Sequence, residues 1–133
     1  MRVVLDTNVL VSALIKAGKP RKLFDAAVVG RHRLVTSRSL IEELVRVLED
    51  ERIRRYVTTQ ETTAFLRLLA ATASTVDTRS KFSVLNSPDD MVLQTAYDGQ
   101  ADLIVTGDEH LLDLVSFRGI RIVTVSDAQA LLV

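Results

Sequence analysis

The 133-residue chain carries 17 basic and 17 acidic side chains, 47% apolar residues and no cysteine. That length suits one domain with a substantial core, and the even balance gives no global field that would announce nucleic acid or a membrane. Disulfides, thiolate metal sites and a cysteine nucleophile are excluded. No apolar run approaches the ~20 residues that span a bilayer, and the first residues enter a strand without a signal-peptide pattern, so a cytoplasmic protein is expected.

Met1 to Leu5 reads as a short buried strand. Val9 to Lys16 is a predicted helix, interrupted at Gly18 and restarted with Pro20 in a first turn, where proline is tolerated. Gly30 ends that second helix, and Arg33 to Thr36 gives the next strand. Ser39 with Glu42 three residues on has capping-box spacing, ahead of a stripe through Leu40, Leu44 and Leu48. Thr58 and Glu61 repeat the spacing before a helix to about Ala73. A strand at Thr75 to Asp77 precedes a polar loop, and Ser87-Pro88 starts a helix that Gly99 closes. Leu103 to Thr106 is a strand, Glu109 to Leu114 a short helix and Ile120 to Val125 a strand, with Ser126 and Gln129 capping a terminal helix. Strands alternating with helices imply a parallel sheet covered on both faces, in one domain over residues 1–133.

Four acids stand where strands end or helices begin. Asp6 closes the first strand, and Asp108 follows Leu103–Thr106 across one glycine. Glu43 and Asp90 fall in first helical turns. Each has a plain structural use, since acids favour caps and first turns. Those uses do not require all four at one sheet edge, the edge where open α/β sheets bind ligands. Carboxylates gathered there repel unless a cation holds them, and an oxygen-only set suits Mg²⁺ or Mn²⁺.

The segments Val3-Val4-Leu5-Asp6-Thr7-Asn8-Val9-Leu10, Ser37-Arg38-Ser39-Leu40-Ile41-Glu42-Glu43-Leu44, Pro88-Asp89-Asp90-Met91-Val92-Leu93-Gln94-Thr95-Ala96 and Ala101-Asp102-Leu103-Ile104-Val105-Thr106-Gly107-Asp108 resemble, in order, the four signatures of the PIN domain family. The likeness is greatest to the compact prokaryotic branch that includes VapC-like toxins. It implies a three-layer α/β/α sandwich around a parallel sheet and a metal-dependent ribonuclease acting on single-stranded RNA. It also implies catalytic metal ligands at Asp6, Glu43, Asp90 and Asp108. Glu42 and Asp89 are the adjacent rivals: Glu42 has the capping-box task, and the spacing Asp90-x-x-Leu93-x-x-Ala96 favours Asp90, leaving Asp89 in a supporting position. Thr7, Asn8, Ser37 and Thr106 match small polar positions that orient carboxylates or metal-bound water. Ser87 stands where related sequences often carry another acid.

A bound metal would acidify water and polarise the phosphoryl group, so no histidine base is required; His32 and His110 read as surface or capping residues. Candidate RNA contacts are Lys16, Lys19, Arg21 and Lys22, then Arg52, Arg54 and Arg55. The arm from Ile53 through Leu69 carries Tyr56, Val57, Phe65, Leu66 and Leu68, more apolar surface than one face would bury. Similar proteins commonly form homodimers and bind an antitoxin encoded beside them, so a homodimer through this arm is expected. A phosphoacceptor domain would place adjacent acids after the first strand and a lysine after the last, and neither is present; a catalytically silent PIN-like scaffold is the remaining alternative.

Overall fold

The computed structural model describes residues 1–133. Its strands are β1 (Arg2–Leu5), β2 (Arg33–Ser37), β3 (Ser74–Val76), β4 (Leu103–Val105), β5 (Ser116–Phe117) and β6 (Ile120–Val123). They form one sheet in the order β3-β2-β1-β4-β6-β5. Every pairing is parallel except the short β5–β6 edge. The helices are α1 (Thr7–Ile15), α2 (Lys19–Val28), α3 (Arg38–Leu48), α4 (Glu51–Arg54), α5 (Thr59–Thr72), α6 (Asp90–Asp98), α7 (Glu109–Leu112) and α8 (Val125–Leu132). None is long and apolar enough to cross a membrane.

Alternation along β1 and β4 divides the core, because successive strand side chains point to opposite faces. Val3, Leu5, Leu103 and Val105 face one layer, where Leu10, Leu23, Leu44, Phe65 and Leu69 pack. Val4, Val35, Ile104 and Ile122 face the other, against Val92, Leu93 and Ala96 of α6 and Leu111 of α7. The result is the expected three-layer α/β/α sandwich. Helix α6 lies so close to the sheet that a Cβ at Gly99 would come within 2.5 Å of Val35 Cγ1.

The Thr58–Glu61 capping box forms as expected. The expected box at Ser39 and Glu42 does not: Ser37 is the N-cap of α3, accepting from the Leu40 N–H at 3.3 Å, and Glu42 instead pairs with Arg38 at 3.0 Å. Likewise Thr124, not Ser126, caps α8 through the Asp127 N–H. One cause explains both corrections. These strands run into their helices with almost no loop, and the residue that ends the extended segment supplies the non-helical φ/ψ that a cap needs.

Candidate functional site

Strands β1 and β4 are neighbours, yet β1 leads through α1 and α2 to β2 on one side, whereas β4 leads to β6 on the other. Such a divergence opens a crevice at the carboxyl ends of the two strands. Asp6 is the N-cap of α1 at that point, and its backbone N–H donates to Val105 O at 3.0 Å, tying it to β4. The Asp6 carboxylate accepts from the Thr7 N–H at 2.7 Å and from Thr106 Oγ1 at 2.7 Å. Thr106 Oγ1 also accepts from the Asp108 N–H at 3.0 Å, so one buried hydroxyl fixes both strand-end acids. Asp108 in turn caps α7 through the N–H groups of His110 and Leu111.

A cavity of about 440 Å³ opens at this crevice, lined by Asp6, Thr7, Asn8, Glu43, Asp89 and Asp108. Its carboxylates sense one another. Burial pushes the Asp6 pKa above its ordinary value against the pull of its hydrogen bonds, and the charges of Glu43 and Asp108 push the same way. Asp89 is raised by burial, then by the charges of Asp108 and Asp6 and by the neighbouring Asp108 carboxyl, which favours its protonated form; exposed His110 acts oppositely. No three acidic or histidine side chains surround a single point closely enough to hold an ion as they stand. The donor chemistry still fits a hard cation: the ligating groups are oxygens, and Thr7 Oγ1 is buried there without a hydrogen-bond partner.

The structure brings Asp6, Glu43 and Asp108 together, with Asn8 and Thr7 beside them. It brings in Asp89 and not Asp90. The Asp90 carboxylate turns away and accepts from the N–H groups of Val84 at 3.1 Å and Leu85 at 2.9 Å. Ser37 is also spent elsewhere, capping α3 and bonding Thr95 Oγ1 at 2.8 Å. Lys16, Lys19, Arg21 and Lys22 do not line the acidic cavity. Lys19 reaches Ser126 Oγ at 3.3 Å, and Arg21 donates to Ala13 O and Leu14 O, closing the end of α1. Arg52 is occupied by Asp50 at 3.0 Å. His32 bridges the amino terminus and Leu132 O.

A second cavity of about 520 Å³ adjoins the first, sharing Glu43 and Val47 and continuing along Ser39, Arg46, Pro88 and Met91. Arg46 was absent from the sequence expectations. The available signal is its spacing, since a residue three after Glu43 shares its helix face.

A model described as "PIN domain" matches residues 2–110. An uncharacterized protein of Methanocaldococcus jannaschii is 31% identical over 119 residues, spanning 86% of this chain and 75% of the relative. Among solved structures, VapBC2 of Rickettsia felis bound to a DNA fragment from their promoter is similar with a TM-score of 0.62 at 13% identity, covering 93% of this chain and 98% of that one. A Pyrobaculum aerophilum protein gives a TM-score of 0.66 at 16% identity, covering 99% of this chain and 89% of its own. With the four signature segments meeting around the β1–β4 crevice, the chain belongs to the PIN domain family.

Proposed function

We infer that this chain is a metal-dependent endoribonuclease that hydrolyses phosphodiester bonds of single-stranded RNA, and that it is the toxin of a toxin–antitoxin pair. The observation that carries the reading is the set of four mutually repelling carboxylates lining one cavity at the switch point of a parallel sheet. Asp6, Glu43, Asp89 and Asp108 are the residues that would hold Mg²⁺ or Mn²⁺. This set departs from the sequence expectation by taking Asp89 in place of Asp90. Such an ion supplies acidified water and charge relief at the phosphoryl oxygens when bound. The chain's own part is positional: Thr106 holds Asp6 and the backbone of Asp108 in fixed relation, while Thr7 Oγ1 and the exposed Asn8 side chain remain to orient water or a phosphate oxygen.

The toxin assignment is supported by the likeness of fold to Rickettsia felis VapBC2. It carries a protein partner, a cognate antitoxin, and a homodimer as the expected assembly. The test is a titration of Mg²⁺, Mn²⁺ and Ca²⁺ against the protein with a short single-stranded RNA. Fragments are expected with Mg²⁺ or Mn²⁺ and none with chelator. Melting temperature should also rise with the logarithm of Mn²⁺ concentration above the dissociation constant, as linkage requires for binding to the native state. RNA binding without fragments under any divalent ion would instead establish a silent scaffold.

A further inference from the structure

We propose that the cavity beside Glu43 is the subsite for the nucleotide flanking the scissile phosphate, with Arg46 as the ligand of that neighbouring phosphate. The proposal rests on the nuclease reading above and extends it to how the strand is held. Three observations carry it. The two cavities adjoin, since Glu43 and Val47 line both and the consecutive residues Pro88 and Asp89 line one each. A strand with one phosphate at the acids therefore has a path for its neighbour into the adjoining space, whose volume of about 520 Å³ is within the range of ligand clefts.

The electrostatics point the same way. Four acids line the first cavity, a surface that repels a polyanion, and Arg46 is the only cation lining either space. It makes no ion pair, whereas Asp50, the other acid in this space, is already paired with Arg52. A free guanidinium with a fork of donors is the group suited to a phosphodiester. The rest of the lining includes apolar Val47, Pro88 and Met91, with a thioether suited to the edge of a base ring. No aromatic side chain lines either space, so base stacking is limited and the phosphate contact dominates.

The experiment uses single-turnover and steady-state cleavage of an RNA with one mapped cut, with methylphosphonate placed at each linkage flanking the scissile one. Arg46→Ala should raise KM roughly tenfold with little change in kcat, as for a lost charge-assisted contact. The salt slope of binding should fall by ~0.7, one phosphate's share on a single strand. Arg46→Lys should recover part of the loss, and Arg67→Ala, on exposed α5 surface, should change nothing. One methylphosphonate should weaken wild type and leave Arg46→Ala no worse. Wild-type cleavage with an unchanged KM in Arg46→Ala, or equal methylphosphonate penalties in both, overturns the subsite while leaving the nuclease reading intact. A reduced Mn²⁺-induced melting shift in Arg46→Ala overturns it too, since the residue would then act through the metal ligands. Absence of wild-type cleavage with every divalent ion removes both readings.

Discussion

Asp89 and Asp90 are neighbours whose side chains leave the start of α6 about 100° apart, so one can face the crevice while the other cannot. Asp90 is the first of a stripe, followed at i+4 by Gln94 and at i+8 by Asp98. All three hold the loop before α6: Asp90 takes the N–H groups of Val84 and Leu85, Gln94 donates to Phe82 O, and Asp98 takes those of Arg79 and Ser80 together with the Ser80 hydroxyl. We expect Asp89→Asn to abolish cleavage with the melt preserved. Asp90→Ala should instead cost about 2 kcal/mol by orphaning charge-assisted bonds. Equal melts for the two variants, with activity lost only in Asp90→Ala, would reverse these roles. The pH dependence separates them further. The folded pKa of Asp6 is raised, so its stabilising contribution is complete below the ordinary value of 3.8 and is lost as pH climbs through the folded value. Metal-free Asp6→Asn should therefore match wild type in acid and gain on it toward neutrality. Burial pushes Asp90 up, but the backbone N–H groups of Leu85, Val84, Ser87 and Asn86 outweigh it and hold its pKa low. Its contribution is present above 3.8 and is lost as pH falls through the folded value, so the Asp90→Ala deficit should shrink in acid. Melting curves across that range decide both.

At the scale of elements, the buried strands were legible because Val3-Val4-Leu5 and Leu103-Ile104-Val105 admit few other environments, whereas their order in the sheet was not. Helix starts were less so. Residues with cap chemistry are abundant near each start, and the choice falls to the one that ends the strand, a fact of backbone geometry that spacing does not contain. The antiparallel β5, two residues long, was invisible for want of any periodicity. The candidate cavity was legible to the same depth: Asp6 and Asp108 on its lining follow from strand ends, whereas which of Asp89 and Asp90 faces it needed the helix phase that Gln94 and Asp98 reveal. Close packing of α6 on β2 gives a test independent of the site. Gly99 has φ −85°, which any residue adopts, so Gly99→Ala strains not the torsions but the close contacts, the Thr95 carbonyl oxygen at 2.9 Å among them. With Val35 Cγ1 at 2.5 Å, we expect a loss of about 1–3 kcal/mol, as for overpacked cores. A melting temperature equal to wild type would mean that the helix shifts freely on the sheet.

For the whole molecule, the apolar surplus foreseen between Ile53 and Leu69 divides on folding. Val57, Phe65 and Leu69 enter the core, and Phe65 stacks on Phe24 with centroids 4.8 Å apart. Tyr56 and Leu68 stay 69% and 42% exposed, and Leu68 borders a largely apolar groove of about 320 Å³ formed with Leu14, Phe24 and Ala64. Exposed apolar surface of this kind is what a twofold contact between copies would cover. Phe65→Glu is a poor probe, because it buries a charge against Phe24 and unfolds the layer whether or not a dimer exists. Leu68→Glu introduces the same charge from an exposed position and leaves the core alone. We expect wild type to scatter light as a species of twice 14.7 kDa at tens of micromolar concentration, and Leu68→Glu to scatter as a monomer with an unchanged circular dichroism spectrum. A monomeric wild type would remove the dimer. A dimeric Leu68→Glu would move the contact away from α5, leaving this groove to a protein of different sequence.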